Sequence, residues 1–74
     1  MKKIIIFAEG PEFVGLDEEE EFDAEEVFNE NYHMGRSGVY SPAEVFHFTF
    51  ETWREQGYVI EDPTGLEARV NAML

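Results

Sequence analysis

The stretch Leu16 to Phe28, LDEEEEFDAEEVF, constrains this chain more than any other. Eight of the ten residues from Asp17 to Glu26 are carboxylates, yet Phe22, Val27 and Phe28 punctuate them and a helix-start pattern lies inside the run. The expectation is an acidic block built into a fold, with its charges held outside the core. High charge alone favours disorder, but 43% apolar residues with clear periodicity oppose it here.

The formal charge is −12, from 17 acids against five bases, and residues 9 to 30 hold 11 acids and no base. Such a chain is repelled by phosphate and by anionic membrane surfaces, so direct binding to nucleic acid or membrane is not expected and basic partners are. Its 74 residues suit one acidic domain, 1–74. A chain this short buries only roughly 60 to 65% of the surface exposed on unfolding, so a monomer is marginally stable and a homodimer is an open possibility. Seven Phe, three Tyr and one Trp partly compensate. The absence of Cys rules out disulfide staples and thiolate metal sites and fits the cytoplasm. The longest apolar run, Ile4 to Ala8, is far below the ~20 residues that span a bilayer.

That run suits a strand covered on both faces. Glu9-Gly10-Pro11 reads as a turn, with Phe13 to Leu16 returning as a second strand. Two helix starts share one design: Asp23 and Ser41 are N-caps, Glu26 and Glu44 close capping boxes, and Phe22 and Tyr40 can staple onto Val27 and Val45. The first helix is expected from about Ala24 to His33, with Gly35 as its left-handed stop. The second is expected from Pro42 to Gln56, with Gly57 after it. In that helix Ala43, Phe46, Phe50 and Trp53 form a core stripe, a pattern favoured over strand alternation of Phe46, Phe48 and Phe50. Tyr58 to Glu61 reads as a strand beside Ile4 to Phe7, and Thr64 with Glu67 as a third capping box opening a helix with Leu66, Val70 and Met73 on one side. The expected fold class is α+β, a small antiparallel or mixed sheet of two to three strands covered by three short helices.

Three features bear on function. If wholly helical, the run from Asp17 to Glu26 carries one charge per ~1.9 Å, close to the ~1.7 Å of duplex DNA. Asp17, Glu18, Glu19, Glu20, Glu21, Asp23, Glu25, Glu26 and Glu30 are therefore expected to compete for a basic groove that normally holds phosphates. Phe48 lies among Glu44, Glu51 and Glu55 on the second helix, which suits an aromatic anchor in an acidic rim as well as a core or dimer contact. Glu30-x-x-His33 and Glu44-x-x-His47 have the spacing of a carboxylate metal site. Glu44 is already used as a cap, however, and no metal or other cofactor is expected.

No phosphate loop, calcium loop or nucleophile motif is present in the sequence. In composition the chain resembles small, cysteine-free acidic proteins that block nucleic-acid-binding enzymes, as anti-CRISPR and anti-restriction proteins do, many of them encoded by phages. The expected role is thus a non-enzymatic inhibitor that mimics DNA. The alternative is a small regulatory or structural module binding through its aromatics, its acids serving solubility.

Overall fold

In the computed structural model, which describes residues 2–74, the early apolar run forms strand β1 (Lys3–Phe7). It is the central strand of a mixed three-stranded sheet. Ile4 and Ile6 are buried while Ile5 and Phe7 are only half-buried. The core thus lies on the Ile4 and Ile6 side, not on both faces as the unbroken apolar run suggested. Strand β2 (Gly10–Val14) returns antiparallel to β1, with Phe7 opposite Gly10. The turn falls at Ala8-Glu9, one step earlier than the sequence suggested, and Pro11 is carried inside β2. A proline is tolerated there because β2 is an edge strand and its outer side needs no donor.

Helix α1 (Glu18–Arg36) overturns the expected start at Asp23. Asp17 is the N-cap: its carboxylate accepts from the Glu20 amide at 2.8 Å, and Glu20 accepts from the Asp17 amide at 3.2 Å. The run contains two successive capping boxes, Asp17 with Glu20 and Asp23 with Glu26, and the earlier one is used. Four glutamates in a first turn are favoured by the helix dipole, and glutamate is a good helix former. Phe22 therefore does not act as a staple before a helix; it lies within one and is 65% exposed.

The far end also differs from expectation. Gly35 is inside α1, and the glycine with positive φ is Gly38 at 84°. Gly35 is needed for close approach, because a Cβ there would lie 2.6 Å from Val45 Cγ2. With 19 residues α1 is not short.

Helix α2 (Pro42–Glu55) begins as expected, with Ser41 and Glu44 exchanging bonds of 3.2 and 2.8 Å. Ala43, Phe50 and Trp53 are buried and Phe46 packs against the same core, so the helical stripe prevails over strand alternation. Val45 and Thr49 are buried too. Both turn toward α1. The Trp53 indole donates to the Ala24 carbonyl at 3.0 Å, and Asn31 Nδ2 donates to Thr49 Oγ1 at 3.0 Å. With Gly35 against Val45, these contacts run in opposite directions along the two helices and fix them as an antiparallel hairpin.

That hairpin is part of the crossover that lets β3 (Val59–Glu61) pair parallel to β1, with Ile4 opposite Ile60. Helix α3 (Leu66–Ala72) follows, but not through the expected box at Thr64. The Asp62 carboxylate accepts from the Leu66 and Glu67 amides at 2.8 Å each. Glu67 is instead held by Arg54 in two bonds of 2.5 Å, which lowers the Glu67 carboxyl below and raises the Arg54 guanidinium above their ordinary values. Val70 is buried, but Met73 is 71% exposed, so the α3 stripe ends one turn sooner than the sequence implied. Among the described residues no helix is long and apolar enough to cross a membrane.

The Gly35 contact makes a prediction of sign. Gly35→Ala gains about 1 kcal/mol of helix propensity but overpacks Val45, which typically costs 1 to 3 kcal/mol, so the variant is expected to be less stable by up to about 2 kcal/mol in urea denaturation. In a Val45→Ala background the same change is expected to become stabilising.

Candidate partner-binding surface

Because α1 starts at Glu18, almost the whole acidic run is helical and the spacing of one charge per ~1.9 Å applies. Successive residues turn by about 100°, which sorts the acids into distinct faces. Ala24, Asn31 and Gly35 face α2. On the far side Glu19, Asp23, Glu26 and Glu30 fall within about 60° of arc and form a ridge about 16 Å long. Glu19, Asp23, Glu26 and Glu30 are all exposed. Asp23, Glu26 and Glu30 also border a shallow groove of about 220 Å³, with Val27 and Gln56 completing it. Glu18, Glu21 and Glu25 lie on a neighbouring face.

The first-turn acids have a role in the fold as well as a place on the surface. Asp17 and Glu20 cap the helix, and Glu20 also binds Lys2, whose ammonium it holds above its ordinary value chiefly through the hydrogen bond. Glu18, Glu19 and Glu21 complement the helix dipole. Asp23, Glu25, Glu26 and Glu30 lie past the first turn, where the dipole gives them little. Among the described residues none of these four is ion-paired.

Phe22 is an exposed residue of α1 and not the staple expected before a helix at Asp23. Its ring projects from α1 with 65% exposure, and Glu18, Glu19, Glu25 and Glu26 are its neighbours at i±3 and i±4. The signal was present in the chain, since a phenylalanine three and four residues from acids on both sides shares its face with them. The Asp23 capping box masks it, because a helix starting there leaves Phe22 ahead of the first turn.

The rim proposed on α2 is less open. Phe48 is half-buried, its ring tilted against Tyr40 with centroids 4.9 Å apart and beside His47 at 5.4 Å. Glu44 is held by the Ser41 amide, Glu51 lies 3.2 Å from His47 Nε2, and Glu55 is exposed. The two E-x-x-H pairs do not converge: among the described residues no three His, Asp or Glu side chains gather into a set able to hold a metal ion. No protein-family model, no curated protein and no solved structure matches the chain.

Acids that repel one another on a helix face destabilise it, which gives a test of whether the ridge serves the fold. Asp23 and Glu26, and Glu26 and Glu30, are like-charge neighbours, each pair unfavourable by roughly 0.2 to 0.5 kcal/mol. The triple variant D23N/E26Q/E30Q is expected to unfold at higher urea than the parent, and the difference is expected to shrink in 0.5 M salt, above the roughly 0.1 M range where surface charges still interact.

Proposed function

We propose that this is a non-enzymatic binding protein whose α1 ridge occupies a basic, nucleic-acid-binding surface of a partner protein in the cytoplasm, acting as a DNA-mimic inhibitor of the anti-CRISPR or anti-restriction type. The observation that carries this reading is Phe22: a largely exposed ring set among Glu18, Glu19, Glu25 and Glu26 on a helix fixed from behind. Interface hot spots favour an aromatic anchor ringed by polar groups, and arginine or lysine side chains entering such a ring would meet carboxylates at its edge and a π face at its centre. The ridge acids Asp23, Glu26 and Glu30 extend the negative surface beyond the anchor without a helix-capping role of their own.

Preorganisation supports the same reading. A carboxylate array on a disordered tail would lose conformational entropy on binding; here α2 orders the helix before any partner arrives. Mutual repulsion along the ridge is a standing cost to stability that opposite charge on a partner would relieve.

The test uses the immobilised protein to capture partners from a host lysate, with and without duplex DNA as competitor. A basic nuclease or polymerase subunit released by DNA is expected. Its affinity is expected to fall at least about tenfold between 50 and 200 mM salt, and Phe22→Ser is expected to weaken it by about thirtyfold, the scale of a hot spot worth 2 kcal/mol. The D23N/E26Q/E30Q variant should bind more weakly while remaining folded. Capture that is indifferent to DNA, to salt and to both variants would overturn the proposal.

A further inference from the structure

A second face of α1, turned away from the ridge, carries a different pattern. Glu25, Phe28, Tyr32 and Arg36 lie within about 80° of arc and span about 16 Å along the helix. Phe28 is half-buried and Tyr32 is 51% exposed, their rings stacked at 6.0 Å. Beside them a cavity of about 260 Å³, lined by Phe28, Tyr32, Gly35, Arg36, Pro42, Val45 and Phe46, contains no acid. Glu25 flanks Phe28 at the other end, in a groove with Phe13 and Pro11.

The charges at the two ends are of opposite sign, and neither has an ion-pair partner among the described residues. Lys2, Lys3 and Arg54 are ion-paired, to Glu20, Glu61 and Glu67. Among the described residues Arg36 and Arg69 are not, and neither is Glu25; of the two arginines only Arg36 lies on the α1 face. In a chain with 17 acids and five bases, an unpaired arginine at the edge of an apolar face is notable. The acid that would satisfy it is written into the same face, eleven residues away.

We infer that this face is an isologous interface with a second copy of the chain, the two α1 helices packing antiparallel. A twofold axis passing near residue 30 places Phe28 against Tyr32 of the partner subunit and Glu25 against Arg36 of the partner subunit, each contact made twice. Self-complementarity of this kind is what a twofold interface requires. An unrelated partner would need acid and base placed in the reverse order along a matching apolar strip, whereas a second copy has that order by symmetry. The ridge of Asp23, Glu26 and Glu30 points away from the interface, and Glu25 alone is shared with the ring of acids around Phe22, so self-association measured without any partner separates this inference from the proposed function. Net repulsion between two acidic chains opposes association, and the Debye length of about 8 Å at 0.15 M salt lets the short-range pairs outweigh it.

Sedimentation equilibrium of the full chain in 0.15 M salt tests this, with circular dichroism confirming that each variant is folded. The parent is expected to dimerise with a dissociation constant on the order of 10 μM. Arg36→Glu and Glu25→Arg are each expected to raise that constant at least about tenfold, and the combined reversal E25R/R36E to restore it to within about threefold. Glu25→Arg is the sharper of the two, since it reduces the net charge of the chain and should strengthen any dimer governed by general repulsion. A parent that stays monomeric up to about 1 mM, a dimer unchanged or strengthened by Glu25→Arg, or a double reversal that fails to recover, would each overturn the inference.

Discussion

The arrangement of this protein depends on the contact between α1 and α2. Three points hold it: the Trp53 indole on the Ala24 carbonyl, the Asn31 amide on the Thr49 hydroxyl, and Gly35 against Val45. Thr49 is wholly buried, and its hydroxyl is satisfied twice, donating to the Val45 carbonyl at 2.7 Å while accepting from Asn31. Buried polar groups left unpaired cost about 1 to 3 kcal/mol each, so a rotation of α1 about its axis would be penalised at both hydrogen-bonded points and would drive a side chain into the Gly35 gap. The rotational setting of α1 follows from these contacts. So do the faces on which its acids emerge.

This explains how so acidic a segment is kept in a small fold. A narrow stripe of α1, Ala24, Val27, Phe28, Asn31 and Gly35, is given over to packing. The remaining positions are free to carry charge, and the first turn gains from it through capping and the dipole. Past that turn the acids bring the fold nothing apparent. It is there, around Phe22 and along Asp23, Glu26 and Glu30, that a binding role has the most to explain, while the Phe28 and Tyr32 face offers a separate surface of mixed charge.

Much of this was legible from residue order. Ser41, Pro42 and Glu44 favoured α2 over the strand alternation of Phe46, Phe48 and Phe50, Gly57 marked its end with φ at 93°, and the spacing of Ala43, Phe50 and Trp53 gave the core stripe. What escaped were decisions between locally equivalent signals. Asp17 with Glu20 and Asp23 with Glu26 are both sound capping boxes, and local pattern cannot rank them; the earlier one is used, where Glu20 also meets Lys2 and the added turn of glutamates gains from the helix dipole. Thr64 and Glu67 failed as a box because Asp62 reached the same amides and Arg54 took the Glu67 carboxylate. The exposure of Phe22 follows from the first of these, and with it the candidate aromatic anchor moves from Phe48 on α2 to Phe22 on α1.

The acidic segment is an ordered helix clamped by α2, with its carboxylates held in fixed positions. Amide hydrogen exchange followed by NMR reads this directly. The amides from Ala24 to Gly35 are expected to exchange only through global unfolding, with protection equal to that of α2, and those of Phe22 and Asp23 to be slowed well below free-chain rates. Free-chain exchange from Glu18 through Val27 while α2 stays protected would contradict the account.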